Sequence, residues 1–212
     1  MLPYCKTGTV FSDQLVVVAF PDFAPFVVLQ SGTHYIWARS FSSSMKDDLR
    51  YAASDCFETF PFPEDFETLQ YLEAPGQAYY EHRAALMVDR GQGMTKIYNR
   101  LHDPDERDEG IVRLRELHAE MDRAVLRAYA WDDLAERAEP IFLDETNEDE
   151  HTYQGRLFWP SAFRDEVLAR LLALNAERHS EEVRRGIAPG LSGAVLKEGD
   201  EEETEPEREA AN

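Results

Sequence analysis

Cysteine is nearly absent: Cys5 and Cys56 are the only two in 212 residues. Two thiols build neither a zinc quartet nor a disulfide framework, so they read as reduced and incidental. Long hydrophobic runs are also missing, and none approaches the roughly 18–20 apolar residues needed to cross a bilayer. The opening MLPYCKTGTVFSDQ has neither the basic nor the apolar region of a secretory leader. These absences predict a soluble, cytoplasmic chain with no membrane partner. Positive charge is scarce, with 22 Lys and Arg against 42 Asp and Glu and a net charge of −20. An evenly acidic surface would repel nucleic acid, whose affinity comes mainly from cations neutralising phosphates.

The acid is not evenly spread. Residues 197–212 hold eight acids and two bases, and residues 132–150 hold nine acids and one base. Residues 1–54 are neutral, because Lys6, Arg39, Lys46 and Arg50 balance Asp13, Asp22, Asp47 and Asp48. What is present otherwise is 43% apolar and 11% aromatic residues, enough to bury a core. The length allows one large domain or two small ones.

Residues 14–20, with Val16, Val17 and Val18, and residues 26–29 read as short strands separated by a proline-bounded turn. Ser31, Gly32 and Thr33 offer caps for a helix over 34–41. Residues 42–50 have loop composition and 51–59 read as extended. Pro61 and Pro63 fix φ and remove donors, so no regular element crosses them and a boundary falls near residue 64. Helices are predicted beyond it, over 74–90, 95–101, 109–129 and 162–185. The clearest is 109–129, where Ile111, Leu114, Leu117, Met121 and Val125 recur on one face. Residues 140–153 read as an exposed acidic loop or short hairpin, and 189–212 as a solvated disordered tail. The expected fold is α+β, with a small β-rich lobe at 1–63, a helical region at 64–188 and the acidic tail.

No catalytic constellation stands out. Gly91-Gln92-Gly93 precedes Met94-Thr95-Lys96 but fits neither the Walker spacing nor GxGxxG after a strand, and reads as a helix end and turn. His118 and Asp122 stand four apart, a spacing that can present two metal ligands. With no third ligand they read as a solvated helix face. His34 and Cys56 lack anything to orient them as a thiol–imidazole pair, and Cys56 is expected in the core. Glu64, Asp65 and Glu67 form a surface run.

Residues 34–63 differ in kind. They carry aromatics, a basic, hydroxyl-rich patch (Arg39, Ser42, Ser43, Ser44, Lys46, Arg50) and the exit FPFP. Arginine can fork onto guanine O6 and N7, lysine holds phosphates, and serine hydroxyls reach backbone or base edges. On composition alone an ordinary polar loop would look the same.

The order of motifs goes further. HYIWAR at 34–39, the serine-rich loop with Lys46, and RYAASDCFETFPFP at 50–63 resemble the end of the target-recognition domain in type IIG-like (MmeI-like) adenine-specific DNA methyltransferases of restriction-modification and phage-defence systems. YYEHRAALMVDRGQGMTKIYNRLHDPDE, LRELHAEMDRAVLRAYAWDDL and YQGRLFWPSAFRDEVLARLLALNAERHSEEVRRG are similar to the helical C-terminal segment of those enzymes. The resemblance spans roughly residues 10–187. It implies double-stranded DNA as partner, with Arg39, Ser42, Ser43, Lys46 and Arg50 as contacts. It also implies S-adenosylmethionine as cofactor of the full-length enzyme and a catalytic methyltransferase domain or subunit. No Asn or Asp here is followed by Pro-Pro-aromatic, the loop that grips the target amine, and no glycine-rich cofactor turn is found. The chain is therefore expected to act with a catalytic partner or to be a truncated remnant, and not to be active alone. The competing reading is an acidic protein-interaction module or DNA mimic without enzymatic activity. A third, a small hydrolase, would need a buried His–Asp–nucleophile cluster.

Overall fold

A computed structural model describes residues 2–3, 8–11, 17–45, 48–148 and 150–187, of which 43–45 and 48–50 by backbone alone. Cys5, Lys46, residues 14–16 of the first expected strand and the tail at 189–212 lie outside the described residues. In chain order the elements are α1 (Phe23–Gln30), α2 (Gly32–Phe41), β1 (Ser43–Met45), β2 (Asp48–Arg50), α3 (Ala53–Cys56), α4 (Gln70–Arg90), α5 (Met94–Leu101), α6 (Glu109–Ala128), α7 (Asp132–Arg137), β3 (Ile141–Phe142), β4 (Leu157–Phe158) and α8 (Ser161–Arg184). The described residues through Ala176 cluster as one compact unit and those from Glu177 as a second.

The N-terminal lobe is helical, which corrects the β-rich expectation for it. Residues 17–21 form no regular element. The run at 26–29 lies inside α1, where every residue from Ala24 to Leu29 is buried. A short apolar run buried on all sides carries no alternation, so periodicity cannot separate strand from helix. What selects helix is a distant partner. The Glu73 carboxylate on α4 accepts hydrogen bonds from the backbone N–H of Phe23 (2.9 Å) and Ala24 (2.7 Å). Pro25, next in line, has no N–H to satisfy. The free donors that open a helix are thus accounted for without a capping residue of its own.

α2 starts as its sequence suggests, with the Ser31 hydroxyl accepting from His34 N–H. After Ser42 closes it, β1 and β2 pair antiparallel with Ser43 opposite Arg50. Residues 53–56 form one helical turn instead of the extended segment expected there. No regular element crosses Pro61 and Pro63.

α6 is the axis of the core. Ile111, Leu114, Met121 and Val125 are fully buried on its predicted face, and the Asp108 side chain caps Gly110 N–H. α4 packs against both α1 and α6. Gly91 ends α4 in the left-handed region (φ 58°), where glycine is favoured, and turns the chain into α5. The turn before α6 is locked by Arg100, which pairs with Glu106 and Asp108, and by Arg90 on Asp108. The acidic stretch at 140–153 folds back through the β3–β4 pair. One of its acids is buried: Glu148 binds Arg164 of α8, whose guanidinium stacks 3.9 Å from the Tyr153 ring centroid.

Gly76 is where α4 meets α1 most closely. A Cβ there would stand 2.6 Å from Val27 Cγ2 and 2.9 Å from Phe23 Cβ, while one at Gly93 meets nothing. Gly76→Ala is expected to cost about 1–3 kcal/mol in a denaturation curve by forcing the helices apart. Gly93→Ala should leave the midpoint nearly unmoved.

Candidate functional site

A cavity of about 610 Å³ opens between α2, α5, α6 and β4. α2 supplies His34, Tyr35 and Arg39; α5 supplies Tyr98; α6 supplies Arg115, His118 and Asp122. His102 lines it from the end of α5, Arg156 from the residue before β4, and Tyr51 from the residue after β2.

The position of α2 against this cavity is set by one buried carboxylate. Asp122 is 3% exposed and accepts from Gly32 N–H at 2.8 Å, ninety positions away in sequence. Its other oxygen lies 3.4 Å from His118 Nδ1. The pair expected on a solvated face is thus a helix anchor. Among the described residues no three His, Cys, Asp or Glu gather as metal ligands. Ser31, on the same wall, gives its hydroxyl proton to Val28 O, so no hydroxyl is activated by the His–Asp pair.

Burial keeps both His34 and His102 neutral. His34 Nδ1–H donates to Leu29 O at 3.0 Å, leaving Nε2 to accept from Tyr51 OH at 3.1 Å. Burial pulls its pKa from 6.5 down to about 4 and pushes Tyr51 up to about 12. His102 Nδ1 accepts from Leu157 N–H at 3.0 Å, which places its proton on Nε2. That buried Nε2 has no hydrogen-bond partner among the described residues, and burial lowers the ring's pKa to about 3. Cys56 is fully buried and its Sγ lies 3.8 Å from Ala38 O. Burial raises its thiol pKa, so it is an inert core residue and makes no nucleophilic pair with His34.

The arginines carry the charge of the wall. Arg115 is consumed by carbonyls, donating to Leu101 O at 2.9 Å and Asp103 O at 2.6 Å. Arg156 donates to Tyr98 OH at 3.2 Å and lies over the Tyr35 ring. Arg39, half-buried in the last turn of α2, makes no hydrogen bond or ion pair among the described residues. Within the WAR motif Trp37 and Ala38 are core, 1% and 3% exposed, and Trp37 Nε1–H donates to Thr59 Oγ1. Arg39 alone of the three turns outward. Ser42 is the C-cap of α2, and Ser43 and Arg50 are cross-strand partners just beyond it. Arg39, Ser42, Ser43 and Arg50 thus come from one continuous helix–ribbon unit, with Lys46 outside the described residues. Tyr98, His102 and Arg156 lie in stretches similar to the helical C-terminal segment but were not singled out as site residues by sequence.

Residues 2–64, which hold α1, α2 and the β1–β2 ribbon, match the family model of the MmeI target recognition domain. That match supports a sequence-recognition role for this segment. The DNA methyltransferase A of Bacillus subtilis (strain 168) is 28% identical over 121 residues, 57% of this chain and 13% of its own length. The chain therefore matches only a small part of that relative. The matched length exceeds the segment 2–64, so it extends into the helical part. No solved structure matches the chain. Among the described residues no helix is long and apolar enough to cross a membrane.

Two outcomes follow from this geometry. Asp122→Ala leaves Gly32 N–H buried without an acceptor and should cost about 1–3 kcal/mol of stability in chemical denaturation. The histidines set a pH window. Both folded pKa values lie below the unfolded 6.5, so their contribution is complete above that pH. It is lost as pH falls toward about 4 for His34 and about 3 for His102. Denaturation midpoints across this range should fall with pH, less steeply in His102→Gln.

Proposed function

We propose that this chain is the DNA-reading part of an adenine-N6-specific DNA methyltransferase of the restriction-modification type. It works in the cytoplasm, in defence against phage, beside a catalytic domain or subunit. The observation that carries this reading is the target-recognition match over 2–64, the segment that holds Arg39, Ser42, Ser43 and Arg50. In this arrangement the partner flips the target adenine from the stack, and the helix–ribbon unit keeps the surrounding duplex in register. Arg39 and Arg50 supply groups suited to forked contacts, Lys46 a phosphate contact, and Ser42 and Ser43 short hydroxyl contacts.

S-adenosylmethionine does not fit the cavity of this chain. Its sulfonium would face Arg39, Arg115 and Arg156, and the wall's acid, Asp122, is committed to Gly32 and His118. The cofactor belongs, in this reading, to the catalytic partner. The rival reading, an acidic DNA mimic, calls for acid across every face. The arginine-lined cavity beside Arg39 opposes it.

Arg39→Ala combined with Lys46→Ala, assayed in the complex with the catalytic partner, should weaken duplex binding about tenfold or more and flatten its salt dependence. Affinity and salt slope both equal to wild type would overturn the assignment.

A further inference from the structure

The cavity beside Arg39 is larger than a phosphate contact needs. At about 610 Å³ it lies in the size range of small-molecule pockets, roughly 300–1,000 Å³. A duplex phosphate needs only a shallow cationic rim. The walls combine Tyr35, Tyr51 and Tyr98, each half-buried, with the guanidiniums of Arg39 and Arg156. Unstacked bases settle on aromatic rings, and guanidiniums take phosphate oxygens.

The two arginines line this cavity with no carboxylate partner among the described residues. Arg156 donates to Tyr98 OH, and the charges of both Arg156 and Arg39 act on that same hydroxyl. Elsewhere Arg90, Arg100, Arg113, Arg137, Arg164 and Arg170 bind carboxylates, and Arg83, Arg107, Arg115 and Arg123 donate to backbone carbonyls. Among the described residues Arg39 and Arg156 have neither kind of partner, although the chain carries a net charge of −20. The acid on this wall, Asp122, is held by Gly32 N–H and His118 and is not turned to them. Two guanidiniums with no carboxylate partner among the described residues, beside aromatic walls in an otherwise acidic chain, make a seat for an anion that carries a ring.

We propose that this cavity binds a single nucleotide unit, its base against the tyrosine rings and its phosphate on Arg39 and Arg156. The unit comes either from an unpaired position in a DNA strand or from a free nucleotide. The strand source rests on the DNA-reading function; the free source does not.

The full chain would be titrated calorimetrically with deoxyadenosine 5′-monophosphate and with deoxyadenosine. In parallel, anisotropy on the complex with the catalytic partner would compare two duplexes of one sequence, one fully paired and one with a single bulged nucleotide. The nucleotide should bind at least tenfold more tightly than the nucleoside, and Arg39→Ala should remove about tenfold of that affinity. Arg156→Ala should do the same, with Arg156→Lys, which keeps the cation, retaining part of it. An Arg127→Ala control, on the exposed side of α6, should change nothing. About a tenfold preference for the bulged duplex, lost in Arg39→Ala, identifies the strand as source. Nucleotide binding without that preference identifies the free nucleotide. Absence of nucleotide binding together with equal affinity for both duplexes overturns the pocket but leaves DNA reading intact. Nucleotide binding with no affinity for either duplex keeps the pocket and overturns DNA reading.

Discussion

Two carboxylates reaching out of the long helices hold the N-terminal helices in place. Glu73 of α4 closes the start of α1, and Asp122 of α6 closes the start of α2. Each answers backbone N–H groups at the positive end of a helix dipole, where a negative charge is most stabilising. Hydrogen bonds to a charged acceptor are each worth about 1.5–3 kcal/mol, a large share of a domain's net stability. Much follows from the second one. With the start of α2 fixed, Trp37 drops into the core, Arg39 emerges in the last turn of the helix, and the ribbon begins at Ser43.

The chain's acidity and its proposed partner are compatible because the charges are sorted. Several arginines of α6, α7 and α8 are tied to carboxylates, as with Arg113 on Glu116 and Glu120 and Arg170 on Asp133 and Glu166. These half-exposed pairs add little stability individually. At the cavity the pattern differs: Arg115 is spent on carbonyls, while Arg39 and Arg156 have no carboxylate partner among the described residues. A net charge summed over the chain conceals this division.

How much was legible follows the range of the interactions. α6 was readable because Ile111 to Val125 repeat at three and four, a local signal. α2 was readable from Ser31, and the close of α4 from Gly91, since caps act within a few residues. α1 was not: its apolar run has no period, and the Glu73 carboxylate that settles its conformation lies about fifty positions away. Asp122 was misread for the same reason, its partner Gly32 being ninety positions distant. At the site, Arg39 was visible as a basic residue in a motif, whereas Tyr98, His102 and Arg156 come from three separate stretches. Only folding brings them to one wall.

The caps also bear on how the proposed reader of DNA could change its specificity. Apart from the Ser31 cap of α2, the stretch that carries the proposed contacts does not finish its own helices; their first turns are completed by acids of α4 and α6. A donor segment spliced in at residue 64 would bring new contacts but would have to find Glu73 and Asp122 at the right places. In the proposed reader, specificity is therefore inherited with its supports: a grafted segment needs the helices that supply the acids to travel with it.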